Sequence, residues 1–302
     1  MSSKEIVIGA AQFGSKYGIT NNSKFYKKKS EENIKYLINR SYKIFDTSNL
    51  YNDANLMLGK NNKNLKIYCK FSIDEKKLAK QKNNTILIKN FFNNLFKDLK
   101  TNKIFCMSFH TFSFNKTSNR LDILKYLKYL KKIKKIKYIG VSINTKTELK
   151  KALNTKEIDL IQLPYNILEH RWDSLMSEIN KAKLRGKKFQ VRSIFLQGLL
   201  LTSNKKIWKN ANCNNNTTII EWLNCYKKKS NSSNLTTLLI NYIFSLDWID
   251  SVVIGMNTKN EIIENIKTIK MKKKLNKKII EEINFNKIKI SNKILNPTNW
   301  KL

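Results

Sequence analysis

The sequence predicts a single-domain α/β protein, a (β/α)8 TIM barrel spanning residues 1–302. Three observations carry that expectation. Eight short β-branched apolar runs recur along the chain, helical spacing follows each, and no linker or composition shift divides them. Strands alternating with helices imply parallel pairing through crossovers. Eight such units in about 250 residues match the usual size of a closed barrel. A doubly wound sheet is the competing architecture. Against it, Gly9-Ala10-Ala11-Gln12-Phe13-Gly14 after the first run lacks the G-x-G-x-x-G spacing of that fold.

The candidate strands, in order, are Ile6–Phe13, Lys43–Thr47, Leu65–Lys70, Ile104–His110, Tyr138–Ile143, Leu160–Leu163, Phe189–Phe195 and Ser251–Ile254. The first helix is expected to start near Ser30-Glu31-Glu32, with a serine cap and early acids matching the helix dipole. Leu121, Leu124, Leu127, Leu130 and Ile133 recur at near-helical steps, and further helices are expected after Thr145 and after Arg171. The most apolar stretch, 237–256, is broken by Asn241, Asp247 and Asp250, so it reads as a buried helix running into a buried strand rather than a membrane span. The Lys-rich tail 271–302, helical near Ile279–Ile283, is expected to pack on the barrel exterior.

A hydrophobic fraction of 41% with 11% aromatic residues excludes wholesale disorder, and 2 Pro with 8 Gly exclude collagenous or Pro-rich architecture. The formal charge of +37 raises the question of a polyanionic partner. Of 59 basic residues only five are Arg, whereas base-reading proteins lean on Arg for its bidentate fork. Lys, Asn and Ile are abundant throughout, as in the product of an AT-rich coding sequence. Apolar residues interrupt both Lys runs, 131–137 and 270–278, as on solvated faces of amphipathic helices. No nucleic-acid partner is therefore expected; high solubility and salt-sensitive attraction to anionic substrates are. The cysteines at 69, 106, 213 and 225 form no CxxC or zinc spacing and read as free thiols of a cytoplasmic protein. The N-terminus has no long apolar signal region, and the Asn-x-Ser/Thr triplets at Asn21, Asn83 and Asn234 are chance matches in an Asn-rich chain.

Barrel chemistry gathers at the carboxyl ends of the strands. There the sequence puts Asp46 and Tyr51 after strand two, Lys70 at the end of strand three and His110 at the end of strand four. That set suits reduction of a carbonyl. A tyrosine, a poor acid at its reference pKa of about 10, is helped by a nearby ammonium that stabilises the phenolate and lowers that pKa. A carboxylate holds the lysine, and an imidazole orients and polarises the carbonyl. Nothing in the set supplies hydride, so a nicotinamide cofactor is required. Each residue also has a plain structural reading: Asp46 as a helix cap, Tyr51 as a half-buried aromatic, Lys70 as one of many lysines. His110 is the most informative, because the chain has only 2 His.

IGAAQFGSKYGI (8–19), FDTSNLYNDANLMLG (45–59), Lys70, SFH (108–110), IGVS (139–142), IQLPYN (161–166), RSIFLQGLL (192–200) and VIGMNTKNEIIEN (253–265) occur in that order. On these motifs the chain resembles the aldo-keto reductases over nearly its whole length. The resemblance implies a barrel binding NADP(H) or NAD(H) in extended form, with Asp46, Tyr51, Lys70 and His110 as the catalytic tetrad. Tyr51 would be the general acid, Lys70 and Asp46 its pKa-setting pair, and His110 the carbonyl-orienting group. Ser142 and Gln162 match positions that hold the nicotinamide carboxamide. The family often has Ser-Asn together here; this chain has Ser142-Ile143-Asn144. Arg192 stands where an aromatic commonly stacks on the nicotinamide; its planar guanidinium can stack, but its charge disfavours the oxidised, cationic ring. Ser193, Gln197 and Gly198 match the loop over the pyrophosphate. Gly255 to Asn265 matches the adenosine-gripping segment, with Glu264 and Asn265 near the adenine. Glu261 stands where NADPH-selective relatives often place Arg and should repel a 2′-phosphate, with Lys259 close enough in sequence to compensate. The substrate expected is a small aldehyde, ketone or sugar carbonyl, with no membrane partner. The runner-up activities are a sugar dehydrogenase running toward oxidation and a cofactor-binding regulatory protein with little turnover. Trp208, Trp222 and the lysines of segment 200–235 raise the expectation of a phosphorylated or nucleotide-linked sugar.

Overall fold

The computed structural model describes residues 4–20, 25–62, 64–74, 78, 84–112 and 117–301. Eight parallel strands close into a barrel in sequence order: β1 (Glu5–Gly9), β2 (Ile44–Ser48), β3 (Lys66–Phe71), β4 (Ile104–Phe109), β5 (Ile136–Ser142), β6 (Leu160–Pro164), β7 (Lys188–Arg192) and β8 (Ser251–Gly255). β8 returns to β1 in register from Glu5↔Ser251 to Gly9↔Gly255. The strands are nearly continuous buried runs, as parallel strands covered on both faces must be. The main core lies between barrel and helices. A smaller cluster of Val7, Tyr68, Cys106, Leu160 and Val253 forms separately.

Two strands end three or four residues earlier than the sequence predicts, and β4 and β5 one residue earlier. β1 stops at Gly9, because Ala10 turns into the right-handed region and Ala11–Gly14 forms a helical turn. β7 stops at Arg192, because Ser193 takes φ +62 and the chain then bends through Leu196 and Gln197, both at positive φ. β4 ends at Phe109, but the His110 N–H still donates to the Phe71 carbonyl (2.8 Å), so the imidazole leaves directly from the sheet.

The first long helix is Lys27–Asn39, not a helix capped by Ser30. Tyr26 is its extended N-cap residue, and buried Ser30 lies inside the helix with its N–H on the Tyr26 carbonyl (3.1 Å). Helix Thr117–Lys132 buries Leu124, Leu127 and Leu130 but leaves Leu121 exposed, and it ends before Ile133, which is exposed in the turn that follows. The expected helix after Thr145 is Lys146–Asn154, with Thr145 and Glu148 forming a capping box. After Arg171 a 3-10 turn, Asp173–Leu175, precedes helix Met176–Leu184. Stretch 237–256 resolves into helix Leu235–Ser245 and β8. No helix among the described residues is long and apolar enough to cross a membrane.

Neither Lys run lies along one helix face. Run 131–137 crosses from the end of helix Thr117–Lys132 into β5, and run 270–278 crosses from the end of helix Lys259–Lys270 to the start of helix Lys277–Phe285. Cations at helix C-termini are favoured by the dipole, which accounts for the first part of each run. The tail runs over helices Thr217–Lys229 and Leu235–Ser245. Trp222 Nε1 donates to the Asn286 carbonyl (2.8 Å) and the Tyr226 hydroxyl to the Glu282 carbonyl (3.1 Å), while Ile283, Ile294, Leu295 and Trp300 are buried. Asn21 and Asn83 lie outside the described residues. Asn234 caps helix Leu235–Ser245, accepting from the Thr237 N–H (2.8 Å).

Candidate active site

Asp46 is the third residue of β2 and Lys70 the fifth of β3, and both side chains point into the barrel, almost fully buried. The Lys70 ammonium pairs with Asp46 Oδ2. Tyr51 follows β2 in a tight turn, its N–H on the Ser48 carbonyl (3.1 Å) and its own carbonyl accepting from the Ala54 N–H (2.9 Å). Asn49 clamps that turn to the exit of β3, donating to the Ser72 carbonyl (3.1 Å) and accepting from the Ser72 N–H (2.9 Å). Buried Thr47 donates to Asn55 Oδ1 (2.7 Å), which holds the start of helix Ala54–Lys60 against β2. Lys70 Nζ lies 5.2 Å from the Tyr51 ring centre, and the Tyr51 and His110 rings meet edge to face at 6.2 Å. Four side chains from three neighbouring strand exits thus share one end of the barrel.

The electrostatics of this cluster differ from the expectation in one respect. Burial pushes the Tyr51 phenol above its ordinary value; the Lys70 charge lowers it and Asp46 raises it, so the ammonium only partly offsets burial. Burial opposes the Lys70 charge, but Asp46 and Tyr51 outweigh it and hold the ammonium above its usual value. His110 is lowered to about 4, first by burial and then by the charges of Lys70 and Arg192. Near neutral pH the phenol is protonated, the lysine charged and the imidazole neutral. A proton donor and a neutral hydrogen-bonding ring therefore stand side by side.

A groove of about 460 Å³ runs from this cluster toward β8. Asp46, Tyr51, Arg192, Ser193, Gln197, Gly198, Gly255, Glu264 and Asn265 line it. Ser142 and Gln162 are buried beside it in register on β5 and β6. Arg192 reaches across the mouth from β7 to β5, donating to Asn144 Oδ1 (2.7 Å) and the Ile143 carbonyl (3.4 Å). Asn144 is thus the guanidinium's anchor. Gln197 Nε2 donates to the Tyr17 hydroxyl (3.3 Å), and Gly198, at φ +92, packs so closely on Thr20 that a Cβ would collide with its hydroxyl. The loops after β1 and β7 therefore meet over the groove.

Lys259 stands apart from the groove residues. It lies 5.5 Å from the Tyr36 ring in a neighbouring cavity of about 440 Å³, which shares Gln12 and Asn257 with the groove. The Glu261 carboxylate turns back on its own helix, accepting from the N–H groups of Asn257 (2.7 Å) and Thr258 (3.4 Å). Trp208 is buried with Nε1 on the Thr202 carbonyl (2.7 Å), and Trp222 is tied to the tail. Segment 200–235 meets the groove instead through Leu201 and Thr202, with Ile207 beside them. The four cysteines are free thiols, and burial pushes Cys69 and Cys106 up to about 12. Among the described residues no three His, Cys, Asp or Glu gather as a metal site requires.

Sequence reasoning did not pick out Gly14, Asn49, Asn55 or Gln190. Only Gln190 carried a signal, as an amide inside the apolar run Phe189-Gln190-Val191. The groove is compatible with a nicotinamide dinucleotide. Its wall combines amides and hydroxyls, such as Gln12, Thr20, Ser193 and Asn265, with the apolar side chains of Ile194, Phe195 and Leu201 and the Arg192 cation, and buried Gln162 Oε1 beside it has no partner.

The profile of the aldo/keto reductase family matches residues 5–285. An aldo-keto reductase from Bacillus halodurans superposes with a TM-score of 0.73 at 16% identity, over 98% of this chain and 96% of that one. A glycerol dehydrogenase from Gluconobacter oxydans gives 0.68 at 13%, over 95% and 93%. An aldo-keto reductase from a Medee basin deep-sea metagenome gives 0.67 at 16%, over 95% and 92%. At these identities the likeness shows the shared fold. No protein with a curated description matches the chain.

Proposed function

The chain belongs to the aldo/keto reductase family and is an oxidoreductase, and from that premise we propose that it reduces an aldehyde, ketone or sugar carbonyl with NADP(H) or NAD(H), Tyr51 acting as general acid. The gathering of Tyr51, Lys70, Asp46 and His110 at one barrel end beside the groove is the observation that carries this reading. The cofactor supplies the hydride when bound. Tyr51 holds the proton at its phenolic oxygen and delivers it to the oxygen that becomes an alkoxide. Lys70 stabilises the phenolate left behind, and Asp46 keeps Lys70 charged and aimed. His110, neutral, donates a hydrogen bond that orients the carbonyl. Ser142 and Gln162 would hold the carboxamide, Arg192 the nicotinamide ring, Ser193, Gln197 and Gly198 the pyrophosphate, and Gly255, Glu264 and Asn265 the adenosine, with Lys259, in the adjoining cavity, offered to a 2′-phosphate. The same groups run the reverse oxidation of an alcohol. A protein that only bound cofactor would need neither Tyr51 nor Lys70.

Fluorescence titration with NADPH and NADH tests the binding half, with micromolar affinity for at least one expected. The ratio of the two reports whether Lys259 or Glu261 governs the 2′ position. Tyr51→Phe tests the chemistry. It should bind cofactor normally and lower kcat roughly 10²–10⁴-fold, the usual contribution of a positioned acid. A near-normal rate in that variant removes the proton-donor role.

A further inference from the structure

The polar interior of the barrel continues past the Lys70–Asp46 pair. Asp46 Oδ2 takes Lys70, and Oδ1 accepts from Gln162 Nε2 (2.8 Å). Gln162 Nε2 also donates to Gln190 Oε1 (2.7 Å), and Gln190 Nε2 donates to Ser251 Oγ (3.1 Å). Asp46, Gln162, Gln190 and Ser251 are all buried. The register places Gln162 opposite Gln190 and Gln190 opposite Ser251, so the chain of bonds crosses β6, β7 and β8 by the shortest route.

This chain has a direction. A carboxylate paired with an ammonium only accepts, so Asp46 demands the NH2 end of Gln162; the reversed amide would set oxygen against oxygen. Both N–H groups of Gln162 are then occupied, one by Asp46 and one by Gln190. Gln190 is oriented in turn, its oxygen toward Gln162 and its nitrogen toward Ser251. What remains is Gln162 Oε1, buried and without a partner. A buried carbonyl left unpaired is unfavourable until a donor reaches it.

We propose that Gln190 and Ser251 are positioning residues, which lock the Gln162 amide so that Asp46 has a second donor and Oε1 is held as an acceptor for an N–H of the ligand. The inference rests on the cofactor reading above, under which that N–H belongs to the nicotinamide carboxamide. The lock makes the site selective for a carboxamide over a methyl ketone of the same shape. It also couples β7 and β8 to the pair that sets the Lys70 charge.

The experiment is a fluorescence titration with the preferred reduced cofactor and with its 3-acetylpyridine analogue, in which methyl replaces the carboxamide NH2. The native protein should bind the carboxamide about tenfold more tightly, the value of one good hydrogen bond. In Gln190→Leu the preference should shrink to about twofold or less, and the pH profile of kcat should shift. Ser251→Ala should lose part of the preference, and Ser251→Thr, which keeps the hydroxyl, should retain it. The Ser251 pair carries the test should Gln190→Leu not fold. A folded Gln190→Leu that keeps the tenfold preference, or weakens both ligands equally, overturns the inference. So does a native protein that binds both ligands alike, while the cofactor reading stands. Binding of neither by the native protein overturns both.

Discussion

His110 leaves β4 into a pocket whose burial and neighbouring cations hold it near 4, well below the usual 6.5. Between those two values the unfolded chain takes up a proton that the folded one refuses, so stability falls as pH drops through that window. The loss should reach about 3 kcal/mol by pH 4. Urea midpoints from pH 7 to 4 should show His110→Gln less acid-sensitive than the native protein, and parallel curves would refute the buried neutral imidazole. Arg192 makes the second prediction at this scale. Its guanidinium is held by neutral acceptors on Asn144 and Ile143, and no carboxylate among the described residues pairs with it. The reduced cofactor should therefore bind more tightly than the oxidised one, and Arg192→Gln should narrow that ratio by roughly tenfold, one modest charge interaction. Paired dissociation constants for the two redox forms would show it. His110 stood out in the sequence because histidine is rare in this chain, whereas Lys70 had no individual signal among so many lysines. The sequence led to a lowered Tyr51 phenol beside the Lys70 ammonium, and the structure raises it instead, because burial outweighs that neighbouring charge.

At the scale of elements, the turn Ala11–Gly14 shows how a glycine far from the reacting atoms places them. A Cβ on Gly14 would collide with the Tyr51 carbonyl oxygen. Gly14→Ala should thus displace the Tyr51 turn, destabilise by about 2 kcal/mol as overpacking does, and lower kcat more than it weakens cofactor binding. Native-like turnover in that variant would show that the turn tolerates the push. Strand existence and order were legible throughout, since each run is short, apolar and β-branched. Ends were less so. Nothing in Ala10-Ala11-Gln12-Phe13 announces that β1 stops at Gly9, and only the positive φ of Ser193 ends β7. Ser30 looked like a cap because its local pattern fits one, but tertiary packing of the helix buried it one turn inside. The Thr145–Glu148 capping box, by contrast, forms where a start was expected, because the interaction is closed within four residues.

For the whole molecule, the tail 271–302 bears on how far the single folding unit extends. We expect it to be an integral layer, because Trp300 is buried with Nε1 on the Ile294 carbonyl (3.0 Å) and the Lys301 N–H donates to the Asn210 carbonyl (2.9 Å). Trp300→Ala should cost about 3 kcal/mol in a single cooperative urea transition, whereas an unchanged transition would mark the tail as an appendage. By itself the sequence determined the strand count, the alternation with helices, the parallel barrel and the four side chains at neighbouring strand exits. Periodicity and spacing along the chain suffice for these, because they follow from how each segment buries its own apolar face. Only the tertiary structure decided that Arg192 anchors on Asn144, that Lys259 faces a separate cavity from Glu264, and that Asp46 orients an amide chain through Gln162, Gln190 and Ser251. Those outcomes depend on side chains from strands up to some two hundred residues apart meeting inside one closed barrel. Burial and hydrogen-bond direction there are set by the partner across the interior, not by the neighbour in sequence.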